Sequence, residues 1–367
     1  MRLVVVCTSF DRSEQAIFSA LPAAGIETEV VCSPDAGAKE SLARAGVRLS
    51  PWPVRNRLDL RAVAHLRRLL DNAPADVIYA PRNSTLSVSL LATLGRRTRV
   101  VGYRGTCGHI SRWDPAAWLA YLNPRVARIA CVSNAVRDYL LGFRLPASRL
   151  VTIYKGHDPE WYAGTPPSLA PFGFTPQDFS VAFTGNMRPV KGVDVLIEAA
   201  RLLPADSRIR LLLIGDVRDE GVRQLAASPG VRDRLVFTGF RKDAAALAGA
   251  CNAYVMPSVE REGLPRGVIE AMCQGVCPVV SDVGGMPELV QDGVSGLVVP
   301  PRDPAALAAA LLRLERDRPL CTSMGAAARA RIGRDFHIRT TIDRMIALFR
   351  DVAADHPKSS GTNDSGR

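Results

Sequence analysis

No two of the eight cysteines stand at Cys-x-x-Cys spacing, and no histidine joins them at zinc-ligand spacing. That leaves neither a dithiol redox motif nor a zinc site to read. Most of the cysteines lie inside apolar runs, as in Val6-Cys7-Thr8 and Ala130-Cys131-Val132, so buried free thiols in a reducing compartment are expected. No apolar run reaches the roughly eighteen residues that a membrane span needs. The segment Met1–Thr8 is apolar but short, and reads as a first strand, not a signal peptide. No Asp-x-Asp occurs, so the usual acidic clamp for a metal-bound diphosphate is missing. Acidic residues are scarce in one half: residues 1–160 hold 13 against 22 Lys and Arg, whereas the remainder holds 23 against 25. A basic half points to an anionic partner such as nucleic acid, anionic lipid or a phosphorylated glycan; the plainer reading is a basic, soluble surface.

What is present is alternation. Short β-branched runs at Leu3–Cys7, Glu29–Val31, Val77–Tyr79, Val100–Val101, Ile129–Val132 and Leu150–Ile153 are separated by helix-length stretches. These stretches include Leu58–Leu70, Leu86–Leu94 and Ala135–Leu141. Strand, helix, strand at this spacing predicts a doubly wound α/β domain over residues 1–160. Residues 154–178 then carry five prolines and three glycines, the composition of an interdomain linker. A second alternation occupies 161–335, with expected strands at Val181–Thr184, Arg210–Ile214, Leu235–Thr238, Ala253–Met256, Pro278–Val280 and Gly296–Val299. A helix over 336–355 is expected to return to the first domain, and the Ser/Gly/Asn/Asp-rich tail 356–367 is expected to be disordered. Two such domains facing one another leave a central cleft, with the C-terminal strand ends pointing into it.

The chemistry concentrates at predicted strand ends. In Pro257-Ser-Val-Glu-Arg-Glu-Gly-Leu-Pro-Arg-Gly-Val-Ile-Glu-Ala-Met272 a strand runs into a loop holding Glu262, Gly263, Leu264 and Pro265. A helix carrying Glu270 follows. Free backbone N–H groups at a helix start make an anion site, and carboxylates suit the hydroxyls of a ribose or a sugar. A charged loop and a solvated helix face would also produce this pattern. Against that, Glu270 sits between Ile269 and Ala271, where an unpaired carboxylate is costly. In Phe183-Thr-Gly-Asn-Met-Arg-Pro-Val-Lys-Gly192, Gly185 allows a tight turn and Asn186, Arg188 and Lys191 follow. Cations beside free N–H groups suit a diphosphate, although the spacing is not that of a P-loop. Gly215, in Leu213-Ile-Gly-Asp216, and Phe240, in Phe237-Thr-Gly-Phe240, mark two further strand ends. His109 follows the Gly-rich Gly102-Tyr-Arg-Gly-Thr-Cys-Gly108, past a strand end facing the cleft.

Together with Gly284-Gly-Met-Pro-Glu288 and Asp292-Gly-Val-Ser-Gly296, these segments resemble family-four retaining glycosyltransferases. The resemblance implies a GT-B architecture and transfer of a sugar from a UDP- or GDP-sugar to a glycan or lipid-linked acceptor. It also implies a cytoplasmic setting in bacterial lipopolysaccharide or cell-envelope polysaccharide synthesis, and no nucleic-acid partner. Arg188 and Lys191 would hold the diphosphate and Glu270 the ribose. Glu262 and the Gly263–Pro265 backbone would meet the sugar and distal phosphate, His109 the sugar, and Phe240 would flank the base. The catalytic candidates are Glu262, His109, Lys191 and Arg188, with no metal and no resident cofactor. Gly185, Asn186, Gly215, Leu264 and Pro265 complete the donor set. Two departures stand out: Asn186 occupies a position where the family has Arg, and Ser9–Glu14 lacks the family's Gly-Gly loop. An epimerase of related fold, or a non-catalytic nucleotide-sugar binder, is the alternative reading.

The basic stretch Arg55–Leu70 also reads as an amphipathic helix, with Leu58, Val63, Leu66, Leu69 and Leu70 on one stripe and arginines off it. Its arginines, with Trp52 between two prolines, suggest peripheral contact with the cytoplasmic face of an anionic inner membrane.

Overall fold

The computed structural model describes residues 1–355; the expectation made for 356–367 lies outside the described residues. Seven strands form the first sheet: β1 Arg2–Val6, β2 Glu27–Cys32, β3 Arg48–Pro51, β4 Val77–Ala80, β5 Arg99–Arg104, β6 Val126–Cys131 and β7 Leu150–Thr152. All pair in parallel in the order β3-β2-β1-β4-β5-β6-β7. The second sheet holds β8 Phe179–Thr184, β9 Ile209–Ile214, β10 Leu235–Gly239, β11 Ala253–Met256, β12 Cys277–Ser281 and β13 Leu297–Val299. It is also parallel, in the order β10-β9-β8-β11-β12-β13. The central strands are buried throughout, as parallel strands covered on both faces must be. In each sheet the strand order reverses once, between β1 and β4 and between β8 and β11. Ligands of doubly wound sheets bind at such reversals, beyond the C-terminal strand ends.

Some elements differ from the sequence reading. β3 was not foreseen, because Arg48 and Pro51 disguise an edge strand. Ser9–Glu14 is not all loop: a helix Arg12–Ala20 starts inside it, held by Asp11 and Glu14 in a reciprocal capping box. The helix expected from Leu58 begins at Leu60, after Asp59, whose side chain accepts the Ala62 N–H. Leu66 and Leu70 are buried under it as the stripe predicts, but Leu58 falls outside the helix and is exposed. Trp52 is no free anchor, since its ring stacks on His65 at 4.2 Å and 6°. The last helix, Ile338–Ala354, packs on Arg12–Ala20, and its Met345, Leu348, Phe349 and Val352 join the core under β1 and β4. Residues 154–178 contain only two 3-10 turns, Pro159–Tyr162 and Ala170–Phe172. No helix among the described residues is long and apolar enough to cross a membrane. All eight cysteines are free, and seven are buried.

Candidate functional site

The strand ends of the second sheet are stitched together through glycines. The Gly185 N–H donates to the Ile214 carbonyl and the Gly215 N–H to the Gly239 carbonyl, both at 2.9 Å. Gly185 and Gly215 have φ of 144° and 136°, and a Cβ at Gly215 would strike the Gly185 carbonyl. Close backbone approach is therefore the reason glycine stands there. Gly192 (φ 65°) plays the same part against the Pro257 carbonyl. It lets the loop after β8 press on the loop after β11, where the Val259 N–H donates to the Val190 carbonyl at 3.0 Å.

That packing joins two residues assigned to separate tasks. The Lys191 ammonium lies 2.5 Å from Glu262 Oε1, and the same oxygen accepts the Ser258 hydroxyl at 2.8 Å. Glu262 is only 8% exposed, so the pair offsets a desolvation cost that neither charge meets alone. Glu262 Oε2 has no hydrogen-bond partner among the described residues and is not sealed from solvent. It is an acceptor left open.

Glu270 lies in the helix Arg266–Cys273, largely buried, with Arg266 Nε at 3.3 Å from its Oε1. Burial pushes its carboxyl above the usual range, Arg266 partly offsets this, and Asp11 across the cleft adds to it. Gly267 lets this helix start abut the end of β8, since a Cβ there would meet the Tyr254 and Thr184 hydroxyls. Gly263 and Leu264 span the two domains: a Cβ on Gly263 would strike the Gly105 carbonyl, and Leu264 packs on both hydrophobic cores.

Other expected residues sit at the rim. Asn186 and Arg188 are exposed, and the Arg188 guanidinium has no ion-pair partner among the described residues. Phe240 is 72% exposed at the end of β10. His109 is exposed with φ 59°, and its Nε2 lies 3.3 Å from Arg261 Nη1 in the opposite domain. The two sides thus meet through His109 and Arg261. Arg261 was not foreseen, and its own left-handed φ of 64° leaves no trace in sequence.

Two further clusters were missed. Lys155 reaches Asp11 at 2.6 Å and Glu14 at 3.3 Å. Burial pushes the Asp11 carboxyl up, but Lys155 outweighs it and holds the carboxyl below its ordinary value. Glu288 of the second domain accepts the Asn134 and Ala135 N–H groups of the first domain at 2.8 Å each, and the Tyr154 hydroxyl at 2.9 Å. Among the described residues no group of three or more His, Cys, Asp or Glu is placed to hold a metal ion. The arrangement offers Arg188, Lys191 and helix-start N–H groups to an anion, and carboxylates to hydroxyls, in a crevice between two domains.

Two family models match the chain: Glycosyltransferase Family 4 over residues 15–161, and Glycosyl transferases group 1 over 178–317. A D-inositol 3-phosphate glycosyltransferase of Geodermatophilus obscurus is 30% identical over 62% of this chain and 55% of its own. A putative colanic acid biosynthesis glycosyltransferase, WcaL, of Salmonella typhimurium is 36% identical over 44% of this chain and 42% of its own. The chain spans about half the length of the curated relatives it matches. The crystal structure of Anabaena HepE in complex with UDP superposes with a TM-score of 0.80 at 22% identity, covering 96% of this chain and 100% of that one. The lipopolysaccharide outer core galactosyltransferase WaaB superposes at 0.72 with 15% identity, covering 96% of this chain and 100% of that one. These likenesses carry the fold: two Rossmann-like domains in the GT-B arrangement.

Proposed function

Since the chain belongs to glycosyltransferase family 4, we propose that it moves a sugar from a nucleotide-sugar, held by its second domain, to an acceptor met by its first. The observation that carries this reading is the Lys191–Glu262–Ser258 cluster at the switch point of the second sheet, with Glu270 on the next helix. An ammonium has three donors, so Lys191 can keep Glu262 and still meet a diphosphate oxygen. Arg188, free at the rim, closes on the other phosphate, while helix-start N–H groups neutralise developing charge. Glu262 Oε2 accepts a hydroxyl of the donor sugar, Glu270 accepts ribose hydroxyls, and His109 faces the sugar from the other domain.

The reaction retains configuration. The acceptor oxygen forms its bond to the anomeric carbon on the face from which the diphosphate oxygen departs. The departing diphosphate takes the acceptor proton, so no enzyme nucleophile is needed. Cations replace a metal. The donor is a UDP- or GDP-sugar; a related fold crystallised with UDP favours the first. The acceptor is a glycan or lipid-linked glycan of the bacterial cell envelope. Likenesses to proteins named for colanic acid and lipopolysaccharide synthesis favour this. Work then proceeds in the cytoplasm, peripheral to the inner face of the membrane.

A thermal-shift screen of nucleotide-sugars tests the donor half, because a ligand at about 100 times its Kd stabilises by roughly 2.7 kcal/mol. Turnover of a radiolabelled donor with cell-envelope extract, in EDTA, tests the rest. Labelled glycan is expected. An epimerised free donor, or binding without turnover, overturns the transferase reading; loss in EDTA restored by Mg²⁺ or Mn²⁺ overturns the metal-free one.

A further inference from the structure

Among the described residues nine large apolar side chains are exposed, and four of them stand at one edge of the first domain: Leu58, Leu60, Trp113 and Trp118. Trp113 is 94% exposed and Leu60 72%. Leu60 opens the helix Leu60–Asn72 and Leu58 stands just before its cap, while Trp113 and Trp118 belong to the segment after β5 that leads through the short helix Pro115–Trp118. The helix Asn83–Ala92 links the two segments: it packs along the helix Leu60–Asn72 and shares a core with Tyr121. Both segments lie at the C-terminal edge of a parallel sheet, the edge that borders the cleft.

Charge surrounds the apolar group and is of one sign. Arg55, Arg61, Arg82 and Arg112 are exposed there, and none has an ion-pair partner among the described residues. The two acids of the segments are spent on helix starts: Asp59 accepts the Arg55 and Ala62 N–H groups, and Asp114 that of Ala116. Indole and leucine side chains bare to water, ringed by unpaired guanidinium groups, match the boundary between acyl chains and anionic headgroups. A folded protein partner would have to supply its own acidic rim around an apolar pocket. A bilayer supplies both at once, along the whole edge.

We propose that this edge, Leu58–Leu60 with Trp113 and Trp118, docks on an anionic lipid surface and holds the mouth of the cleft against it. The inference rests on the reading of a lipid-linked acceptor and adds the surface that would bring that acceptor in. It moves the contact from Trp52, whose ring stacks on His65, to side chains that stand exposed.

The test is co-sedimentation of the full chain with vesicles of phosphatidylcholine alone or mixed with phosphatidylglycerol. Binding is expected only to the mixed vesicles, and should weaken severalfold between about 0.1 M and 1 M salt. The double variant Leu60→Ser, Trp113→Ser should lose roughly tenfold or more in vesicle affinity, and Arg55→Gln with Arg112→Gln should flatten the salt dependence. UDP binding by calorimetry, run on each variant, should not change. Equal binding to both vesicles, full binding by the double variant, or retention on RNA or heparin without vesicle binding overturns the proposal. If UDP binds while vesicles do not, the surface alone is wrong; if UDP fails to bind, the donor reading falls separately.

Discussion

Glu288 of the second domain caps a helix of the first, its Oε2 accepting the Asn134 N–H at 2.8 Å while Oε1 takes that of Ala135. A carboxylate across the first N–H groups of a helix satisfies orphan donors and opposes the positive end of the helix dipole. The helix is Asn134–Leu141, whose own Ser133 side chain accepts only the Val136 N–H. The contact thus fixes one domain against the other through backbone groups that no substitution in the first domain other than to proline removes.

Glu288→Ala should therefore loosen the domains more than it unfolds either. We expect a stability loss of about 1–2 kcal/mol, the usual worth of a helix cap. Small-angle scattering should show a larger radius of gyration than in the wild type, and donor KM should rise. An unchanged radius with unchanged KM would refute the clamp.

Gly263→Ala tests the same closure from the cleft side. Its new methyl would collide with the Gly105 carbonyl and crowd Val132, both in the opposite domain. Overpacking of this kind costs about 1–3 kcal/mol. Activity should fall sharply while the separate domain cores stay intact by far-UV circular dichroism. Wild-type turnover in Gly263→Ala would show that the two loops part during catalysis.

Glu270 is held ionised at a cost, since burial raises its carboxyl and Asp11 repels it. A carboxyl raised in the folded state loses stability as pH climbs past its unfolded value of about 4.3. Glu270→Gln should accordingly melt no lower than the wild type at pH 7, while donor affinity drops by about tenfold or more with loss of charged hydrogen bonds. A variant that binds the donor normally would remove Glu270 from the site.

His157 gives a pH signature of opposite origin. Burial lowers its imidazole to about 4, while its Nδ1 sits 2.8 Å from the Tyr162 hydroxyl. The folded state thus disfavours the charged ring. Its stabilisation is complete above the unfolded value near 6.5 and is lost as pH falls toward 4. The effect is on the order of 3 kcal/mol at most. Melting curves from pH 7 to 4 should fall less steeply for His157→Gln than for the wild type; parallel slopes would count against it.

Several of these features were open to reading and others were not. Strand ends announced themselves through Gly185, Gly215 and the Glu262–Glu270 stretch, because a parallel strand must be apolar and its exit must turn tightly. The pairing of Lys191 with Glu262 was hidden, since it depends on Gly192 lying on the Pro257 carbonyl, a long-range packing fact. Lys155 and Asp11 are 144 positions apart, and nothing local in either segment points to the other. Asn186 stands exposed with Arg188 two positions on, so the loop after β8 still offers a guanidinium despite the missing family arginine. The helix at Arg12 was missed because Asp11 and Glu14 read equally well as turn residues until their reciprocal caps are seen.

The closing helix, Ile338–Ala354, has a consequence for how the molecule is made. Phe349, fully buried, meets Tyr79 of β4 edge-on at 5.3 Å, so the interior of the first domain is finished by residues synthesised after the strands of the second. While the ribosome is still translating, the first sheet must wait with that flank bare, whereas the second domain can already complete its own interior. A chaperone in attendance would thus meet the first domain, not the second. Stop codons introduced just before Ile338 should yield aggregates whose exposed surface is that flank.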